Sequence, residues 1–221
     1  SQSGGNGSEP ENASTDSQKL QIVATIFPEY DWVKEILGDQ ADNVDLTLLL
    51  GNGTDMHSFQ PTMEDILKVS TCDLFIYVGG ESDSWVADAL KGAGNPDRKA
   101  INLMDVLGDQ VKEEELVEGM QDEDGHTHEE EHTHDDDLEY DEHVWLSLKN
   151  ASLFCDTIAG SLADADPEHS RLYQQNAEAY EEKLAALDQE YQTSVEKSRS
   201  KTLLFADRFP FRYLIDDYNL T

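Results

Sequence analysis

Cysteine, positive charge and long apolar runs are all scarce in this sequence of 221 residues. There are two cysteines, Cys72 and Cys155, far apart and without a CxxC spacing, which excludes a cysteine-based zinc cluster. Both sit in apolar contexts that suit free, buried thiols, and a disulfide between them stays open. Lysine and arginine number 15 against 48 aspartates and glutamates, for a formal charge of −33. That balance excludes non-specific nucleic-acid binding, because polyanions repel one another. It also excludes docking on anionic lipid by charge alone. No apolar run approaches the ~20 residues that span a bilayer. An HExxH string occurs once, at His128–His132, in a polar acidic stretch without an apolar helical face, and no P-loop or nucleophile elbow is present, so a metallohydrolase is the weakest of the candidate functions.

The hydrophobic fraction is 38%, and its deficit lies in two polar stretches, residues 1–19 and 113–142. The first reads as a disordered tether. Between them, apolar strands alternate with helical patterns. Leu20 to Phe27 is a short apolar run of the buried parallel-strand kind. Pro28 then opens a helix that Gly38 stops. Further strands are read at Val44–Leu50, Asp73–Val78 and Ala100–Leu103. Helices are read at about Pro61–Val69 and Trp85–Leu90. The repeated strand–helix order predicts an α/β fold, a parallel sheet flanked by helices in an N-terminal lobe. In such sheets ligands bind in the loops at the carboxyl ends of the strands.

After the second polar stretch, Ser147 is placed to cap a helix carrying Leu148, Ala151, Phe154, Ile158 and Leu162. Asp166-Pro167 marks another helix start, with Asp166 as the expected cap. Tyr173, Ala177, Tyr180, Leu184, Leu187, Tyr191 and Val195 follow at spacings of four and three. One long spine helix to about Lys197 is expected, roughly 45 Å at ~1.5 Å per residue. Lys201–Ala206 reads as one strand and Arg212–Asp217 as one helix. The organisation is then a tether (1–19), an N-terminal lobe (20–146) that includes an acidic, His-rich loop (113–140), a pair of helices (147–200), and the start of a second α/β lobe (201–221).

The acidic loop holds His126, His128, His132 and His134 within nine residues. Imidazoles two and four residues apart on a flexible chain, flanked by carboxylates, suit Zn²⁺. They would exchange it quickly, because ordering the loop costs entropy each time. A solvated loop with incidental histidines is the plainer reading. His169 is read as an ordinary surface residue.

Three segments in order resemble the zinc and manganese substrate-binding lipoproteins of bacterial ABC transporters. Gly53-Thr54-Asp55-Met56-His57-Ser58-Phe59-Gln60-Pro61-Thr62 is similar to the family's H-x-(Phe/Tyr)-x-P loop. Asp141-Glu142-His143-Val144-Trp145-Leu146 is similar to its D-P-H-x-W segment, with Glu142 where the family has Pro. The His-rich loop between them is typical of zinc members. The resemblance implies two α/β lobes joined by a spine helix, with metal in the cleft, held in part by His57 and His143. It implies Zn²⁺ before Mn²⁺, an ABC permease as partner, and an extracytoplasmic monomer. The Ser/Gly/Asn-rich opening is similar to the tether behind a lipid-bearing Cys, which would lie ahead of Ser1.

Two departures stand out. Arg208 occupies the position of the family's third histidine, and a guanidinium has no lone pair to give a metal. Asp207 beside it is a weak substitute donor. The family's acidic fourth ligand would fall beyond Thr221. These departures keep a second function open, a surface metal store or adhesin-like module that binds ions mainly through the loop.

Overall fold

The computed structural model describes residues 19–51, 53–114, 139–206 and 209–221. Four parallel strands form its sheet: β1 (Leu20–Ala24), β2 (Val44–Leu48), β3 (Leu74–Tyr77) and β4 (Lys99–Asn102), in the order β2-β1-β3-β4. β1 is central, and Ile22 pairs with Leu46 on one side and Leu74 on the other. The chain winds outward from β1 in both directions, so a crevice opens at the carboxyl ends of β1 and β3.

Alternation along β1 divides the core. Ile22 joins a large cluster with Trp32, Ile36, Phe154, Ile158 and Tyr173. Its neighbour Val23 faces a smaller one with Val69, Cys72, Phe75, Val86 and Ala89. Burial on both faces explains why these strands read as continuous apolar runs.

Helices cover both faces. α1 (Phe27–Leu37) carries Pro28 in its first turn and ends at Gly38, whose φ is 53°. α2 (Met63–Thr71) begins with a reciprocal cap: Thr62 Oγ1 accepts from Asp65 N–H, and Asp65 Oδ2 accepts from Thr62 N–H. α3 (Val86–Lys91) and α4 (Leu103–Leu107) follow β3 and β4. α5 (Leu148–Ala165) is capped by Ser147 Oγ, which accepts from Asn150 N–H as expected. α6 (Ser170–Lys197) has 28 residues, about 42 Å of helix. It packs on α5 and α1. α7 (Arg212–Asp217) is the expected short helix. Among the described residues no helix is long and apolar enough to cross a membrane.

Three expectations need correction. Asp166 does not cap the helix after it; its Oδ2 accepts from the Tyr173 hydroxyl at 2.6 Å and meets His169 Nδ1 at 2.8 Å. A one-turn helix at Pro167–His169 separates Asp166 from α6, which puts its carboxylate beside the first turn's side chains. His169 is therefore a paired residue and not a bare surface one. The third concerns Lys201–Ala206, which is no strand and joins no edge of the sheet. Leu204 is 96% exposed. The stretch does form two backbone bonds to one residue, Leu203 N–H to Thr221 O and Thr221 N–H to Lys201 O. Bonds flanking Thr202 in this way have the spacing of a parallel pair. An apolar, β-prone segment without a neighbouring strand stays irregular.

Candidate metal site

His57 lies just past β2, on a single helical turn at Met56–Ser58. Asp55 precedes it, and its Oδ1 accepts His57 N–H at 3.0 Å, which fixes the turn. The imidazole Nδ1 is 3.0 Å from Ser82 Oγ, in the loop after β3. The side chain is 42% exposed. His143 is reached from the opposite direction. It precedes the turn at Val144–Leu146, and buried Asp141 holds it twice. Asp141 Oδ1 is 2.8 Å from both His143 N–H and His143 Nδ1.

The two imidazoles converge. Their ring centroids are 5.5 Å apart and the planes are inclined by 56°. With Zn–N near 2.0–2.1 Å, two imidazoles on one tetrahedral ion have centroids about 5 Å apart. The spacing fits a shared ion with little movement. Each ring has Nδ1 engaged by an oxygen, Ser82 Oγ or Asp141 Oδ1, which leaves Nε2 as the nitrogen free to bind. A metal-bound histidine commonly has its other nitrogen held in this way, which sets tautomer and orientation.

The histidines stand between two hollows. One, about 650 Å³, is lined by Gly80, Ser82, Glu114, Asp141 and Glu142 together with both rings. The other, about 380 Å³, has an apolar wall of Ile26, Phe27, Leu50 and Trp145. Trp145 also packs on His143, with ring centroids 5.3 Å apart.

Acidic groups surround the pair. Burial, then Glu139 and Asp141, push the Glu114 carboxyl up from its ordinary value. Beneath the cleft, Asp83 accepts Gly79 N–H at 3.0 Å. Burial drives its carboxyl to about 6, opposed by that hydrogen bond and reinforced by Glu142. Buried Glu29 closes the turn after β1: its Oε2 accepts from Thr25 N–H, Thr25 Oγ1–H and Ile26 N–H. Burial raises its carboxyl well above the usual range.

Both cysteines are free and buried, and burial pushes each thiol up to about 12. Neither offers a thiolate. Among the described residues no three His, Cys, Asp or Glu side chains are already gathered as a metal site. What they provide is a pair. Asp207, Arg208, His126, His128, His132 and His134 lie outside the described residues. The segment bearing the four loop histidines is bracketed by paired backbone, Glu113 bridging Tyr140 and Asp141 N–H donating to Lys112 O.

The sequence motifs single out His57 and His143 but give no role to Ser82, Asp141 or Asp83. Asp141 carried a signal, being two residues before a motif histidine. Ser82 and Asp83 carried none, since their importance comes from the fold bringing the β3 loop under His57.

The chain is 34% identical over 203 residues to the zinc-binding lipoprotein AdcA of Streptococcus pneumoniae, covering 91% of this chain and 38% of the relative. It is 32% identical over 216 residues to the high-affinity zinc uptake system protein ZnuA of Bacillus subtilis, covering 98% and 64%. The chain thus spans between about a third and two thirds of these relatives' lengths. Among solved structures, Zn(II)-bound AdcA from S. pneumoniae superposes with a TM-score of 0.70 at 29% identity, over 92% of this chain and 38% of that one. The metal-dependent lipoprotein YcdH of B. subtilis superposes with a TM-score of 0.72 at 28% identity, over 91% and 65%. Residues 22–221 match the family of the periplasmic zinc-uptake complex component A, ZnuA, and this chain belongs to that family.

Proposed function

We propose that this protein is an extracytoplasmic receptor that captures Zn²⁺ in its cleft and presents it to an ABC permease for import. One observation carries the reading: His57 and His143 face each other at 5.5 Å with Nδ1 of each already held. The family and its zinc-binding relatives support it. Manganese fits less well, because imidazole donors favour zinc over manganese. The acidic lining draws a dication inward, and the two rings bind it on arrival. His126, His128, His132 and His134 then serve as a local collector that feeds the cleft. Asp207 offers an oxygen near the position that Arg208 takes from the family's third histidine. Anchoring through an N-terminal lipid would keep a monomeric receptor beside its permease.

Calorimetric titration with zinc tests the reading. His57→Ala and His143→Ala should each weaken the tightest zinc equivalent by at least tenfold, while replacing the four loop histidines leaves it in place. If the loop variant loses all zinc and the two cleft variants bind as the parent does, the protein is a metal store and not a cleft receptor.

A further inference from the structure

Glu142 breaks the D-P-H pattern, and the structure gives it a seat of its own. The residue is 7% exposed. Its Oε1 accepts Ser82 N–H at 2.8 Å, which ties it to the same loop that holds His57. Its Oε2 is buried and has no hydrogen-bond partner among the described residues. That free oxygen is 4.0 Å from His57 Nδ1. The seat needs Gly80, whose φ is 75°; a Cβ there would collide with the Glu142 carboxylate. The backbone has therefore yielded space to a charged group left half-satisfied.

A buried carboxylate oxygen without a partner destabilises the fold. Among the described residues, no group donates a hydrogen bond to it. The neighbouring Asp83 is another acid and adds repulsion. The groups that could compensate it are His57 and whatever cation His57 holds. An imidazole that gives its Nε2 lone pair to a dication carries more positive charge on its Nδ1–H edge. Oε2 faces that edge.

We propose that Glu142 is a positioning residue of the cation site, a buried anion behind His57 that orients its Nδ1 side inward and stabilises the ring once it is metal-bound. This rests on the cleft reading above and deepens it. In this role Glu142 is not a ligand: Ser82 N–H takes its Oε1, and its Oε2 meets the Nδ1 edge of His57 at 4.0 Å. Its cost falls on the metal-free protein and is offset in the loaded one, so this site favours occupancy.

Glu142→Gln tests this, in a full chain whose His126, His128, His132 and His134 are replaced by Ala so that the cleft alone is read. Glutamine keeps the oxygen that meets Ser82 N–H and loses the charge. Zinc affinity should fall 10–100-fold, the range of outer-shell partners. The metal-free variant should melt at the parent's temperature or above it. Cobalt(II) bound in place of zinc should show the parent's visible bands, since the directly bound atoms are unchanged. Parental zinc affinity in Glu142→Gln, with binding lost in His57→Ala, overturns this inference and leaves the cleft reading intact. Parental affinity in both His57→Ala and His143→Ala overturns the cleft reading beneath it. A lower melting temperature of the metal-free variant overturns the positioning role by making Glu142 a structural residue, and altered cobalt bands overturn it by making Glu142 a ligand.

Discussion

Asp83 is a residue where burial leaves a thermodynamic mark. Its carboxyl titrates at about 6 in the folded chain against an ordinary 3.8. The folded state holds that proton more tightly than the unfolded state does. Stability contributed by the protonated form is therefore present at low pH and is lost as pH rises between about 4 and about 6. The shift corresponds to about 3 kcal/mol at about 1.4 kcal/mol per unit. Asp83→Asn keeps an oxygen for Gly79 N–H and removes the titration. Thermal melts of the metal-free parent and variant should differ progressively more in the variant's favour from pH 4 to pH 7. A constant difference across that range would mean that Asp83 titrates normally. The same residue shows why part of the site was hidden in the sequence. His57 and His143 sit in recognisable local patterns. Ser82 and Asp83 follow Gly79-Gly80 and Glu81 in an ordinary polar turn, and only the crossing of β3 beside β1 brings them under His57.

Among elements, α7 braces the segment that carries His143. Tyr213 is buried, and its hydroxyl donates to Asp141 O at 2.8 Å while accepting Lys112 N–H at 3.1 Å. Asp217 accepts from Ser147 Oγ–H at 2.6 Å, and Lys112 pairs with Asp216 at 2.7 Å. The segment that orients His143 is thus braced from a helix 70 residues further along the chain. Tyr213→Phe leaves a buried carbonyl and a part-buried N–H without this partner. It should destabilise the chain by about 1–3 kcal/mol in denaturant melts. Unaltered stability would mean that α7 rests on the lobe without bracing it. The existence of α7 was legible, but its docking was not, because no periodicity reports which hydroxyl finds which carbonyl. α6 was legible for the opposite reason. Tyr173, Ala177 and Leu184 recur on one face and are buried there. The same stripe continues to Leu187 and Tyr191, which are 41% and 43% exposed. Spacing records a face, and burial depends on what lies against it. Lys201–Ala206 shows that limit most plainly: its β-prone composition and a lone strand's need for partners were readable, and among the described residues no strand of the sheet lies against it.

At the scale of the whole molecule, charge and topology agree. A chain of net charge −33 draws cations toward itself. The sheet order β2-β1-β3-β4 opens its crevice at the strand ends, where the loops after β2 and β3 bring His57 and Ser82 together. The segment beginning at Asp141 then lays His143 across that crevice. The parallel sheet and its flanking helices followed from alternating apolar runs, whereas the meeting of the two histidines depended on tertiary contacts 25 and 60 residues long. The central claim is that one divalent ion bridges those two rings. X-ray absorption at the zinc edge, on zinc-loaded protein lacking the four loop histidines, measures it directly. The account predicts imidazole scattering from two rings at Zn–N of about 2.0–2.1 Å, with one ring lost in His57→Ala. A spectrum of oxygen donors alone, unchanged by that substitution, would contradict it.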